Sequence, residues 1–199
     1  MGRPARSPGF SLVEILVVCA VLAVLLALSV PAVNSLARAS ELQRAGSMIA
    51  DAIGQARQIA TAQLAPTELR FVEVPSDSTR RWQAYQIWAA NPRGGQLRAV
   101  TRLQRLPNST CLASNLSPLL SPLLTAGSVK GTLSLTDGST CPYAGVRFRP
   151  DGSLEGTLDS TENYVTVVAN VQFDTSEPPP NFIGVQINAY TGKASIHQP

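Results

Sequence analysis

The chain has 199 residues, of which 44% are hydrophobic and 15% charged, with a formal charge of +3. That length fits one globular domain plus an attached segment, and the apolar fraction is enough to bury a core. Arg3 and Arg6 sit in the first nine residues, so the remainder is nearly neutral, which excludes a globally basic, nucleic-acid-coating chain. Charge is uneven, however: ten arginines face five acids between Arg38 and Arg105, and four bases face seven acids between Lys130 and Lys193.

The N-terminal segment is the most informative part. From Ile15 to Ala37 no residue is charged, and the stretch is apolar on every helical face rather than along one stripe. At ~1.5 Å per residue this run spans ~34 Å as a helix, matching a hydrocarbon core of roughly 30 Å. Arg3 and Arg6 precede it without acids, so the short N-terminus is expected to stay cytoplasmic and the rest to be exported. A cleaved secretory signal has a shorter apolar run and a small-residue junction after it, whereas here the junction, Gly9, lies before it. Glu14 is a carboxylate at the start of an apolar stretch, and such a group in hydrocarbon needs a partner. Cleavage after Gly9 would create one, the new α-amine of Phe10, within a subunit or between neighbours.

The residues GFSLVEILVV behind a short basic leader resemble the type IV prepilin cleavage and methylation site. The resemblance implies that a prepilin peptidase cuts between Gly9 and Phe10 and methylates the Phe10 amine. It also implies that Glu14 guides assembly with other pilins or pseudopilins. Pro31 lies in the apolar helix where pilins often carry a proline, implying a kink or a region that melts on assembly; its missing N–H and ring clash are the physical basis. The alternative for this segment is a plain transmembrane anchor.

Beyond the span, Leu42, Ala45, Ile49, Ala52, Ile53, Ala56, Ile59, Ala60 and Leu64 recur at helical spacing, predicting an amphipathic helix over 38–65 that Pro66 stops. From 66 to 199 the texture changes to short runs broken by turns: ELRFVEV, WQAYQIWAA, QLRAVTRLQRL, GTLSLT, AGVRFRP, ENYVTVVANVQF and FIGVQINAY. Alternation in RWQAYQIW and GVRFRP argues half-buried strands. Asp137-Gly138, Asp151-Gly152 and Thr191-Gly192-Lys193 read as turns. The expected fold is α+β: a leader at 1–9, a spine helix whose transmembrane or filament-core half is 10–37, and an extracytoplasmic antiparallel sheet packed on its second half. A Ser-, Pro- and Leu-rich stretch around 106–129 reads as a long loop with one short helical turn. Cys111 and Cys141 are candidates for a disulfide tying that loop to the sheet, or two separate buried thiols, and Cys19 is a small apolar side chain of the helix.

Residues for chemistry are scarce. His197 is the only histidine and lies near the end, which argues against a His-dependent triad, a metal cluster or catalysis, and no cofactor motif is present. Asp137-Gly138-Ser139 and Asp151-Gly152-Ser153 lack calcium-loop spacing and read as hairpin turns. Arg80, Arg81, Arg93, Arg98, Arg102 and Arg105 form an acid-free basic stretch with Trp82, Tyr85 and Trp88 interleaved. It reads either as a polyanion footprint or as solvated arginines on a sheet whose aromatics are core.

The layout of long helix, strands and a terminal strand pair ending TGKASIH resembles the FimT/GspH class of minor pilins and pseudopilins. Some members of that class bind DNA through a glycine-arginine motif near the C-terminus; here Gly192-Lys193-Ala194-Ser195 carries one base where the pattern has two arginines. WQAYQIW, LQRLPN, VRFRPDGS and TGKASIHQP are similar to the prepilin-type "Verru_Chthon cassette protein D" family. These resemblances imply an inner-membrane, single-pass subunit that assembles into or primes a type IV pilus or a type II secretion pseudopilus, with its main domain extracytoplasmic or in a surface filament. Two other readings stay open: a DNA-binding minor pilin of an uptake filament, and a membrane-anchored domain that never polymerises.

Overall fold

Ser11 begins, and Leu64 and Pro66 end, a helix built almost wholly from residues that tolerate helical backbone. A computed structural model of the chain describes residues 11–76, 79–91, 95–114, 121–127, 129–135, 138–156, 163–170 and 179–198, and leaves out the side chains of 26–36 and 126. Helix α1 is Leu12–Gln63. The chain divides into two compact units, Met1–Arg38 and Ala39–Pro199. In the first unit the helix continues through Pro31, the residue at which the sequence predicts a kink or melting point.

In the second unit α1 presents Leu42, Ala45, Ile49, Ala52, Ile53, Ala56 and Ala60 to the core, the faces expected from their three- and four-residue spacing. Alanine dominates this face, so the helix lies close to the sheet. Gly46 marks the tightest approach: a Cβ there would fall 2.6 Å from Ile183 Cγ2. The helix ends in a Schellman turn, in which the Ala65 N–H donates to the Ala60 carbonyl at 3.2 Å and Leu64 takes the left-handed conformation at φ 49°. Glycine normally fills that position because a Cβ there clashes with the following carbonyl.

The strands are β1 (Thr67–Ser76), β2 (Thr79–Ala89), β3 (Arg98–Ala99), β4 (Gln104–Arg105), β5 (Thr110–Leu112), β6 (Val129–Ser134), β7 (Thr140–Phe148), β8 (Tyr164–Ala169), β9 (Ile183–Ile187) and β10 (Ala194–His197); α2 is Pro122–Ala126. They form one antiparallel sheet in the order β10-β9-β8-β5-β2-β1-β7-β6, with β3 and β4 pairing beside β2. The α+β architecture with an antiparallel sheet follows the expectation. Residues Leu69, Phe71, Tyr85, Ile87, Val146 and Phe148 on one side of the join, and Val165, Val167, Val185 and Ile187 on the other, meet α1 in one core. Between β2 and β5 the ladder is a single pair, Trp82 opposite Leu112. The rest of the β2 edge is taken by the segment 98–106, through β3, β4 and the Leu106 N–H to the Gln83 carbonyl at 2.9 Å. Helix α2 rests against both β7 and β8, and its Leu123 and Leu124 enter the same core.

Two expectations are corrected. QLRAVTRLQRL forms two short strands rather than one, because it bends at Thr101 as it follows the β2 edge. The stretch around 106–129, expected as a loop with one short helical turn, has such a turn as α2 but also contributes a strand, β5. A Cys111–Cys141 disulfide is also ruled out: both thiols are free and buried. Cys111 lies on β5 and Cys141 on β7, with β2 and β1 between them. Three strand spacings of roughly 4.8 Å exceed the ~7 Å that a disulfide allows between Cα atoms. Burial pushes the Cys111 thiol up to about 12, with Arg81 opposing weakly.

Replacing Leu64 by Gly is expected to raise stability by about 0.5–1 kcal/mol in urea denaturation, since the side chain is 75% exposed and only strain is removed. A loss of stability would show that the leucine makes a stabilising contact. The two buried thiols are expected to resist alkylation in the folded protein and to react in denaturant without any reductant, as read by mass spectrometry. A pair that reacts only after reduction would establish a bridge.

Candidate functional site

The start of α1 is held by two reciprocal bonds. The Glu14 carboxylate, through Oε2, accepts the Ser11 backbone N–H at 2.9 Å, and the Ser11 hydroxyl accepts the Val13 N–H at 3.4 Å. Ser11 and Glu14 therefore form a capping box, serine at the N-cap and glutamate three residues on. A carboxylate in the first helical turn also lies at the positive end of the helix dipole. The spacing Ser-x-x-Glu is the sequence signature of this local role, which Glu14 holds alongside its expected partnership with the Phe10 amine. Gly9 and Phe10 lie outside the described residues.

From Ser11 to Leu25 every side chain is exposed, including Leu12, Ile15, Leu16, Leu22 and Leu25, so over this stretch the helix has no covered face. Cys19 is one of these exposed positions. Among the described residues no helix is long and apolar enough to cross a membrane; the centre of the uncharged run, 26–36, lies outside the described side chains.

Residues 5–30 match the family model for the prokaryotic N-terminal methylation motif. The chain is type IV pilin-like. The match spans Gly9, Phe10, Glu14 and the apolar run from Ile15 to Val30. No curated protein and no solved structure matches the chain.

The sheet of this pilin-like chain carries, on the face opposite α1, a polar cluster that sequence reasoning missed. Glu68 is 1% exposed, and its carboxylate is shared by two arginines. Arg70 reaches Oε2 at 2.6 Å and Arg147 reaches Oε1 at 2.6 Å, while Arg147 also approaches Glu155 at 3.4 Å. The Arg70 guanidinium lies over both the Trp88 and Tyr143 rings, at 4.2 and 4.3 Å from their centroids. Trp88 donates its indole N–H to Gln86 at 3.0 Å, and Gln86 donates to the Thr101 carbonyl at 2.9 Å. Hydrogen bonding to Glu68 holds the Arg147 guanidinium above its ordinary range, against the opposing effect of burial. The cluster ties β1, β2, β7 and the segment around Thr101 into one unit.

The arginines singled out from sequence do not share one face. Register places Arg105 opposite Ala84 on the outer face and Arg98 opposite Ala89 on the other, while Arg93 lies outside the described residues. Arg98, Arg102 and Arg105 are exposed on the segment along β2; Arg80 is exposed at the start of that strand, with Arg81 half-buried beside it. Trp82 packs against the core and Trp88 stacks on Arg70, so neither indole is a free platform. At the C-terminal turn Gly192 adopts φ 63°, and a Cβ there would lie 2.0 Å from the Gly152 carbonyl oxygen. Lys193 is exposed beside it, and His197 is exposed on β10. Among the described residues no His, Cys, Asp or Glu side chains gather as metal ligands.

Replacing Glu68 by Ala strands two cations on a mostly buried face and is expected to cost about 3–5 kcal/mol in urea denaturation. Arg147→Ala is expected to cost about 1 kcal/mol, because the Arg147 side chain is 35% exposed and Arg70 still neutralises Glu68. Equal losses in the two variants would refute this unequal sharing.

Proposed function

We propose that this protein is a minor pilin or pseudopilin, which a prepilin peptidase processes and which then enters or primes a type IV pilus or a type II secretion pseudopilus. The observation carrying the proposal is the methylation motif over residues 5–30, which opens a helix whose side chains from Ser11 to Leu25 are all exposed and, after Glu14, apolar. The leader carries Arg3 and Arg6 and is cut between Gly9 and Phe10; the run Ile15–Ala37 holds the precursor in the inner membrane, with the β domain outside. On assembly the same apolar surface exchanges lipid for neighbouring helices.

The capping box suggests how Glu14 serves both states. Its Oε2 is occupied by the Ser11 N–H, which leaves Oε1 for the Phe10 ammonium of its own or a neighbouring subunit. Neutralisation of this kind lowers the cost of a carboxylate at the edge of an apolar helix and fixes axial register between subunits. A glutamine at position 14 would keep the capping acceptor and lose the charge.

Intact-mass and N-terminal analysis of protein purified from its own host membrane is expected to show a chain starting at methylated Phe10. A start at Met1 or Gly2 would mean a membrane anchor and end the filament reading. With processing established, Glu14→Gln is expected to be cut normally and to be missing from sheared filaments. Normal incorporation of that variant would show that the carboxylate acts only as a helix cap.

A further inference from the structure

The segment 95–110 contains Arg98, Arg102 and Arg105 and no acid. All three arginines are exposed, and among the described residues no ion pair engages them. The backbone beneath them is fixed. Arg98 and Ala99 pair with β2, the Val100 N–H donates to the Ile87 carbonyl at 2.8 Å, and the Thr101 hydroxyl accepts the Ile87 N–H at 3.0 Å. Gln104 and Arg105 then pair with Tyr85 and Ala84. Leu97, Thr101 and Leu103 turn inward as half-buried anchors, while Arg98, Val100, Arg102 and Gln104 stand outward.

From the position opposite Ala89 to that opposite Ala84 this ridge runs about 17 Å at ~3.4 Å per residue. Long arginine side chains leaving an exposed sheet edge can reach one ligand even though Arg98 and Arg105 start on opposite faces. Glu68 of the sheet's polar cluster is already shared between Arg70 and Arg147, and among the described residues no salt bridge joins an acid to the ridge.

We infer that this ridge binds the phosphate backbone of duplex nucleic acid without reading its sequence. A protein partner of ordinary kind requires an apolar centre that anchors it, and here Val100 at 41% exposure is the only large apolar side chain that stands exposed among the described residues of the ridge, Leu97 and Leu103 being half-buried. A polymer with one charge per ~1.7 Å presents about ten phosphates along a ridge of this length, so charge matching rather than shape governs the contact. The aromatic side chains nearby are engaged elsewhere, so stacking of unpaired bases is not supplied. The site is separate from the Gly192-Lys193 turn.

The test uses the full chain in a neutral detergent and a labelled duplex of arbitrary sequence, about 30 base pairs long, read by fluorescence anisotropy. Three phosphate contacts give a log–log salt slope of about −2.7, so binding is expected to weaken roughly 40-fold between about 50 and 200 mM salt. Changing Arg98, Arg102 and Arg105 together to Gln is expected to reduce affinity at least about tenfold at low salt and to flatten the slope, with the melting temperature unchanged because the residues are exposed. Lys193→Gln with Arg149→Gln, two exposed bases outside the ridge, the second just past β7, is expected to retain binding. The inference fails if the wild-type chain binds no better than the triple variant, if binding is insensitive to salt, or if the Lys193 and Arg149 changes abolish it. It also fails if polyglutamate of equal charge competes as well as the duplex, which would assign the ridge to acidic protein segments.

Discussion

Close approach between an α-helix and a β-sheet sets the terms for the whole second unit. A sheet of this size cannot cover its own apolar face, and α1 is the element that does so, through a stripe of alanines with isoleucines at Ile49 and Ile53. Small residues bring the helix axis near, and the larger side chains of Phe71, Phe148, Ile183 and Ile187 fill the space from the sheet side. Gly46 against Ile183 shows how little clearance remains. The division of volume matters because the ladder itself nearly parts between β2 and β5, so side chains from α1 and α2 must hold what the backbone does not.

The opposite face is stabilised by different means. There the sheet buries a carboxylate with two guanidinium groups and two aromatic rings, a cluster in which Glu68 is the member the others depend on. Removing water from such groups is costly, and the geometry offsets that cost with bonds near 2.6 Å on both carboxylate oxygens. Its position explains why the outer face of β1, β2 and β7 can be partly buried without being apolar throughout. A smaller apolar cluster of Val72, Val74, Ala84 and Cys141 completes that face.

Much of this was legible in the residues. Gly9, Phe10 and Glu14 ahead of an uncharged run are local signals, and local signals survive without a structure. The inward stripe of α1 was readable for the same reason, since Leu42, Ala45, Ile49 and Ile53 follow helical geometry whatever they pack on. Tertiary pairings were not readable. Strands β3 and β5 are too short to announce themselves and exist because a neighbour supplies their partners. Glu68 and Arg70 were visible as alternate residues of one strand, but Arg147, 79 positions away, became their companion only through the order of β1 and β7. The two cysteines failed as a pair for the same reason, since sequence gives spacing along the chain and a bridge requires spacing across the sheet.

The single Trp82–Leu112 pair between the two halves of the sheet has a consequence for cooperativity. In a continuous ladder, disturbance at one strand passes to the next through peptide hydrogen bonds, which are short and directional. Here the β1–β2–β7–β6 group and the β5–β8–β9–β10 group share almost no such path beyond that pair and the Gln83 side-chain amide, which donates to the Thr110 carbonyl at 3.0 Å, so they sense each other mainly through the van der Waals packing of a common core. Packing of that sort weakens when side chains gain volume to move, long before peptide bonds within either group are strained. The domain thus behaves as two stiff leaves clasped by a helix, and the clasp, not the leaves, sets how far the unit acts as one body.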